Sequence, residues 1–263
     1  MKNIIFTFPE GRRKALTMSY DDGVVEDRKL VEIFNKYGIK GTFHINGGLL
    51  GKGNHLVAEE LSALYRGHEV SCHSFTHPFL ERVPRITALN QVLEDRRELE
   101  AQVGYPVRGM SYPMGTYDSE VLGILKSADI AYCRTVRSTG SFGLPDNWLE
   151  WHPTCHHRED ILAKAEIFKE LRYSCALFYV WGHAFEFERN CNWGLIEDFC
   201  AAIAKVEDIW YATNIEIYNY LTALRRLEFS VSGNQVRNTN SIPVWINVEG
   251  EIVQIAPGEL KNL

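Results

Sequence analysis

The sequence predicts an α/β fold: a distorted (β/α) barrel of about seven strands, followed by a small antiparallel appendage. Two observations predict the barrel. Short apolar runs alternate with longer amphipathic segments at least six times, which is the pattern of a parallel sheet whose strands are connected by helices. The chain has 263 residues, and this length together with the strand count favours a barrel over a doubly wound sheet. A change of pattern after about residue 228 predicts the appendage.

The predicted strands are apolar runs that end at glycine, proline or polar turns. They cover residues 15–20, 40–45, 68–72, 109–112, 130–134 and 175–183. The predicted helices carry apolar residues at helical spacing. They cover residues 27–37, 56–66, 86–103, 118–127, 159–172, 194–206 and 213–227. Gly38 and Gly67 stand directly after two of these segments, where a helix C-terminal glycine is expected.

Residues 228–263 read as four short strands with two hairpin turns, at Gly233-Asn234 and Glu249-Gly250. No long linker or low-complexity stretch separates them from the rest. We therefore expect a barrel domain over residues 1–227 and a small β-strand appendage over 228–263 that packs directly on it.

Composition excludes several classes of protein. The net charge is −6, so no basic face is available for a nucleic-acid backbone. The first apolar run has five residues, shorter than a secretory signal requires, and no run is long enough to span a membrane. Six cysteines occur without any CxxC pair, which favours reduced thiols. We expect a cytoplasmic protein without nucleic-acid or membrane partners, and the sequence does not predict its oligomeric state.

Two polar motifs follow predicted strands. Asp21, Asp22 and Gly23 end the first strand, and adjacent carboxylates are costly to bury unless a metal or a proton transfer uses them. His73 and His77 follow the third strand, and imidazoles four residues apart on a helical turn can share a metal. Asp22 with both histidines would leave one position for water, as in a catalytic zinc site, and Asp21 would stand beside it as a general base. The alternatives are an Asp-Gly turn and a chance histidine pair.

Two further strand ends carry candidate groups. In Tyr-Pro-Met-Gly at 112–115, a sharp turn would expose the amide of Met114 to a developing oxyanion. An ordinary strand-to-helix turn is the alternative. His183 ends an apolar strand, and small Gly182 beside it and Glu186 three residues later suggest an oriented, functional imidazole. A core histidine is the alternative.

The four motifs, in this order and at strand ends, resemble the polysaccharide deacetylase family (the NodB-homology, carbohydrate esterase 4 group) over roughly residues 14–190. The resemblance implies a distorted (β/α) barrel and a divalent metal, with zinc as the expected ion. It also implies a role for each motif residue: Asp21 as general base; Asp22, His73 and His77 as metal ligands; His183 as the acid that protonates the leaving amine; and Met114 as the oxyanion amide.

This sequence departs from the family pattern at two places. The family often carries an arginine three residues before the oxyanion amide, where this chain has Ser111. We expect Arg134, at the end of strand 130–134, to supply the missing guanidinium; a surface arginine is the alternative. The usual Asp-plus-Trp fourth motif is not recognisable in 140–151, which leaves Glu186 as the nearest candidate to tune His183.

The resulting expectation is a metal-dependent hydrolase that removes an acetyl group from an N-acetylated sugar, with ester-linked acetyl as a second target. Its partner would be a carbohydrate or small-molecule substrate. The same residues could open a non-sugar amide, and a non-catalytic sugar-binding barrel is the non-enzyme alternative. An iron oxygenase shares the ligand set, but it usually needs His-X-Asp on an all-β scaffold, and this chain shows neither.

Overall fold

The structure, a computed structural model, describes residues 2–263. The strands are β1 (Ile4–Phe6), β2 (Lys14–Asp22), β3 (Gly41–Ile45), β4 (Glu69–Cys72), β5 (Gly109–Ser111), β6 (Tyr132–Arg134), β7 (Cys155–His156), β8 (Ala176–His183), β9 (Ile209–Tyr211), β10 (Glu228–Phe229), β11 (Gln235–Arg237), β12 (Val244–Val248), β13 (Glu251–Ile255) and β14 (Leu260–Asn262). The helices are α1 (Asp27–Tyr37), α2 (Leu61–Leu64), α3 (Arg85–Val103), α4 (Ser119–Ser127), α5 (Ile161–Glu170), α6 (Phe185–Arg189), α7 (Trp193–Ile203) and α8 (Asn214–Arg225).

Seven parallel strands form one curled sheet in the order β6-β5-β4-β3-β2-β8-β7, and β9 pairs with the first residues of β2. The chain between β6 and β7 joins the two edges. Thr135 donates its amide to the Trp151 carbonyl beside β6, and Thr154 donates its amide to the Tyr179 carbonyl on β8. The predicted distorted (β/α) barrel is confirmed, with an additional antiparallel sheet.

The two faces of the sheet differ in chemistry. The outer face, under the helices, is apolar, with Met18, Phe43 and Val70 in the main hydrophobic core. The inner face carries buried polar side chains at the alternate positions, among them Ser19, Thr42, His44, Glu69, Ser71 and Tyr132. Both faces are buried, although polar and apolar residues alternate along strands such as β3 and β4. The row of polar residues on the inner face continues to the carboxyl ends of the strands.

Helix α8 closes the opposite end of the barrel. Its first turn is capped by the Thr213 hydroxyl and the Glu216 carboxylate, each bonded to the backbone amide of the other residue. The next amide, that of Asn214, donates to the hydroxyl of Thr42, and the amide of Ile215 donates to the carboxylate of Glu69. Burial raises the pKa of Glu69 to about 7. The buried polar groups at this end are therefore held by the helix N-terminus.

The segment predicted as a helix over 56–66 differs from the expectation. Only Leu61–Leu64 is α-helical, because the residues before it pair with the chain after β2. Leu56 donates its amide to the Gly23 carbonyl, and Val25 donates its amide to the Asn54 carbonyl. Strands β7 and β9, with two and three residues, are too short to give a pattern in the sequence.

The appendage contains two small antiparallel sheets, β1-β12-β13 and β10-β11-β14. The sequence did not indicate β1 and β14 as strands. Strand β1 brings the N-terminal segment beside β12, with Ile4 opposite Val248. The division at residue 227 stays a prediction. None of the helices in residues 2–263 combines the length and the apolar character needed to cross a bilayer.

Candidate metal centre and catalytic site

The two adjacent carboxylates at the end of β2 point to different partners. Asp21 is buried and contacts Arg134 and Ser111, whereas Asp22 is partly exposed and approaches two imidazoles. Asp22 has φ +84°, an uncommon conformation for a residue other than glycine. The left-handed backbone conformation of Asp22 ends the strand. The side chains of Asp21 and Asp22 therefore contact different partners.

Asp22, His73 and His77 converge on one point. The Asp22 Oδ1 atom lies 3.6 Å from His73 Nε2 and 3.7 Å from His77 Nε2, and the two Nε2 atoms are 3.1 Å apart. The expected helical turn between the histidines is absent. Residues 73–79 form no helix, and Ser74 and His77 both have positive φ, so an irregular loop brings the imidazoles together. Strained backbone of this kind often occurs at functional sites.

Ser111 determines which nitrogen of His73 faces the other ligands. The Ser111 hydroxyl donates to Asp21 Oδ1 at 3.0 Å, and it lies 2.7 Å from His73 Nδ1. Since its one hydrogen is used on Asp21, this hydroxyl accepts from Nδ1. The Ser111 carbonyl also lies 3.0 Å from Nδ1 and can only accept. The proton of His73 is therefore on Nδ1, and Nε2 presents a lone pair toward Asp22 and His77.

These donor atoms fit a divalent cation. A carboxylate oxygen and two imidazole nitrogens lie within 4.8 Å of one another, and the lone pair of His73 Nε2 faces His77 Nε2 at short range. Burial lowers the pKa of His73, which favours the neutral form that a metal needs. Three protein ligands leave a coordination position for water or substrate, which is the arrangement of catalytic zinc sites.

Arg134 is fully buried, and its guanidinium contacts the Asp21 carboxylate while lying 4.3 Å over the ring of Trp181. Burial disfavours the charge on Asp21, but Arg134, His73 and His44 outweigh burial and hold its pKa well below the usual range. These neighbours therefore favour the ionised form of Asp21.

Two buried residues support this site and were not indicated by the sequence. Asp95 on α3 accepts hydrogen bonds from the amides of Gly47, at 2.6 Å, and His73, at 2.9 Å. In the sequence Asp95 lies within a charged helical segment that resembles a solvated face. His44 is the neighbour of Asp21 across β2 and β3, and its Nε2 lies 2.8 Å from the hydroxyl of Ser19. Its polar character within an apolar strand was the only available signal.

His183 ends β8, and its Cα is paired with that of Asp21 in the adjacent strand. Its side chain is partly exposed, and its Nδ1 lies 3.6 Å from Glu186 Oε1. Burial acts against a charged imidazole here, but Glu186, Asp21 and Asp22 outweigh it and raise the pKa of His183. A raised pKa keeps a proton on the ring near neutral pH, as a general acid requires.

Met114 lies in the turn Pro113–Gly115, with φ +58° and about half of its side chain exposed. The amide of Gly115 donates to the Tyr112 carbonyl and closes the turn. No hydrogen bond in residues 2–263 links Met114 to the other site residues. The structure thus brings Asp21, Asp22, His73, His77 and Arg134 together, with His183 at the neighbouring strand end, and Met114 lies in the turn that follows Ser111.

Comparisons with known proteins relate this chain to deacetylases. A peptidoglycan-N-acetylglucosamine deacetylase, PgdA of Listeria monocytogenes, is 29% identical over 120 residues. These residues are 46% of this chain but only 23% of the Listeria enzyme, so the chain matches less than a quarter of that relative. A crystal structure of a provisionally named polysaccharide deacetylase from Mycobacterium smegmatis has the same fold. It is 16% identical, with a TM-score of 0.64 over 86% of this chain and 96% of that one.

A carbohydrate esterase family 4 pseudoenzyme from Bacillus anthracis also shares the fold. It is 17% identical, with a TM-score of 0.52 over 78% of this chain and 66% of that one. The fold alone therefore does not establish activity. The sequence model of the family described as polysaccharide deacetylase matches residues 9–133, which contain β2 to β5 and all three candidate metal ligands. The match covers a little less than half of the chain, and over these residues the chain is similar to the polysaccharide deacetylase family.

Proposed function

We propose that this chain is a divalent-metal-dependent hydrolase that removes the acetyl group from an N-acetylated sugar, with ester-linked acetyl as a second target. One observation carries the proposal. A buried carboxylate, Asp21, is held by Arg134 and Ser111 beside three converging ligand atoms from Asp22, His73 and His77. A hydrolase needs both a base and an electrophilic centre, and these two groups supply them side by side at the carboxyl ends of β2 and β4.

Asp22, His73 and His77 would hold the ion, which supplies a Lewis acid for the acetyl carbonyl and lowers the pKa of water. The other steps belong to the chain itself. Asp21 takes the proton of the attacking water, and its contacts with Arg134 and Ser111 fix the direction of that transfer. The amide of Met114 donates to the oxyanion, and His183 delivers a proton to the departing nitrogen.

The likeness to PgdA supports acetylated amino sugars as the first substrates to test, because that relative is named for N-acetylglucosamine. This chain has Ser111 where the family often has an arginine. A non-sugar amide is therefore a second substrate class for the same residues. Arg134, which is paired with Ser111 on the neighbouring strand β6, supplies the cation instead, so the pocket around the acetyl group differs from the family pattern.

The experiment combines metal analysis of the purified protein with acetate release. The substrates are N-acetylglucosamine oligomers, an O-acetylated xylan and simple N-acylated amines. We expect one divalent ion per chain and acetate release from the amino-sugar oligomers that is lost with a chelator and restored by Zn²⁺. Release only from the simple amines would favour the non-sugar hydrolase. A metal-loaded protein that binds the oligomers without releasing acetate would be a non-catalytic carbohydrate-binding barrel.

A further inference from the structure

A second buried cluster lies beside the candidate acid and contains two adjacent imidazoles and one carboxylate. His156 Nε2 and His157 Nε2 lie 3.2 Å and 3.0 Å from the same oxygen of Glu186. The other Glu186 oxygen lies 3.6 Å from His183 Nδ1. We propose that His156 and His157 hold Glu186 behind His183, so that all three act as positioning residues for the proton donor; this rests on the proposed function.

The strand pairing explains why these residues meet. Strand β7 runs parallel to β8, with His156 opposite Trp181, and the amide of His157 donates to the Trp181 carbonyl at 2.8 Å. Both imidazoles therefore lie beside the C-terminal residues of β8. Glu186 comes from the first turn of α6, three residues after His183. The cluster is thus assembled from two parts of the chain that are about 30 residues apart.

Gly182 makes room for one of the imidazoles. A Cβ atom at this position would lie 2.0 Å from His157 Nδ1, so any larger residue would displace the ring. The ring of His157 is also stacked on Phe187, with centroids 4.3 Å apart, and on Tyr20 at 5.9 Å. Packing on three sides therefore fixes the orientation of His157 toward Glu186.

The contacts of His156 show where its proton is. Its Nδ1 accepts from the amide of Arg158 at 3.2 Å and from the Arg158 Nε at 3.3 Å. Both partners are donors only, so Nδ1 carries the lone pair and the proton is on Nε2, which faces Glu186. In this state Nε2 carries its hydrogen 3.2 Å from Glu186 Oε2, in a contact that falls short of hydrogen-bond geometry, and it has no free lone pair for a metal.

Glu186 is buried, yet its surroundings favour the charged form. Burial raises its pKa, but His156, His157 and His183 outweigh burial and hold the pKa well below the usual range. From the solvent side, guanidinium nitrogens of Arg158 and Arg189 each lie 3.7 Å from Glu186 Oε1. A buried carboxylate with this many positive or donor partners stays ionised.

Several groups besides Glu186 act on His183. The titratable neighbours are Asp21 and Asp22 from β2 and His156 and His157 from β7 and its end. The guanidinium groups of Arg158 and Arg189 approach Oε1 of Glu186, the oxygen that faces His183. Trp181 and Phe185 contact the ring as uncharged aromatics. His183 Nδ1 has no hydrogen-bond partner in the part of the chain that the structure describes. Of the anions, Glu186 is the one whose oxygen faces Nδ1, and this leaves Nε2 for the substrate.

The test measures the imidazole titration of His183 by NMR in the Zn²⁺-loaded protein, with its signals assigned by their loss in His183→Gln. Glu186→Gln should lower the pKa of His183 by about 1, because an adjacent anion is removed. The basic limb of the kcat/KM profile should move to lower pH by a similar amount. Glu188→Gln changes an exposed carboxylate of the same helix and should leave both unchanged.

The imidazole donors are tested in the same way. His157→Phe keeps a flat ring but cannot donate a hydrogen bond, and it should lower the pKa of His183. His157→Gln keeps a donor, so the pKa of His183 in this variant should stay close to that of the unmodified protein. If His157→Phe does not fold, His156→Gln compared with His156→Leu makes the same comparison at the neighbouring position.

A pKa of His183 that does not move in Glu186→Gln overturns the proposal. So does a second metal ion per chain that disappears in His157→Phe, because the nitrogens would then be ligands. The titration needs no turnover, so a protein that releases no acetate but shows these shifts would contradict only the proposed function.

Discussion

The two halves of the site are built in different ways. In the metal half, the proposed ligands Asp22, His73 and His77 come from compact motifs, but the residues that support the site, such as Ser111 and Arg134, are distant in sequence. In the acid half, Glu186 is only three residues from His183, and the imidazoles that hold it lie at the end of a strand of two residues and directly after it. The residues proposed to bind the metal are grouped in short sequence motifs, whereas the residues that position them are scattered along the sequence.

The largest expected effect is loss of the metal half. His73→Leu removes a ligand atom, so the protein should lose its ion, and kcat/KM should fall on the order of 10³-fold or more, since a metal contributes several kcal/mol. Metal content and acetate release are measured together. His55→Asn changes a histidine whose Nδ1 contacts only the Lys52 carbonyl, and it should retain both. Full activity of a metal-free His73→Leu protein would contradict the ligand assignment.

The acid half should matter only when the leaving group needs a proton. His183→Gln should keep the metal and lower kcat/KM on an N-acetylated sugar by about 10²–10⁴-fold, the range of general acid–base catalysis. An aryl acetate leaves as a stable phenolate, so the same variant should lose less than about tenfold on that substrate. Equal losses on the two substrates would show that His183 is not the acid.

Arg134→Met tests the link between Asp21 and its buried cation. The carboxylate loses the charge that lowers its pKa, so burial raises that pKa and the acidic limb of the pH–rate profile moves to higher pH. Breaking a buried pair should also cost about 3–5 kcal/mol of unfolding free energy. The double variant Arg134→Met with Asp21→Asn should recover part of this stability. An unmoved acidic limb would remove Arg134 from the catalytic account.

The smallest expected effect is at Ser111. Ser111→Ala removes the hydroxyl between Asp21 and His73 but leaves its carbonyl on His73 Nδ1, so the metal should stay. We expect a loss in kcat of about tenfold or less, as one hydrogen bond contributes about 1 kcal/mol. Ser127→Ala, at an exposed hydroxyl on α4, is the matched control. A loss as large as that of His73→Leu would make Ser111 part of the metal site itself.

The sequence predicted the barrel because short, mainly apolar runs alternate with amphipathic segments, and the six predicted strands of the barrel overlap observed strands closely. It missed β7 and β9 because two or three residues have no periodicity, and so it left His156 and His157 without a role. Asp95 was missed for another reason. A buried carboxylate that accepts backbone amides has the same sequence appearance as a solvated one.

The most direct test of the account compares Asp21→Asn with Asp22→Asn, two adjacent residues with different assigned roles. The measurements are bound metal per chain and acetate release from an N-acetylglucosamine oligomer. We predict that Asp21→Asn keeps its ion and loses most turnover, because an amide cannot take a proton from water. Asp22→Asn should lose both. Equal loss of metal in the two variants would make Asp21 a ligand, and the separation of base from metal site would be wrong.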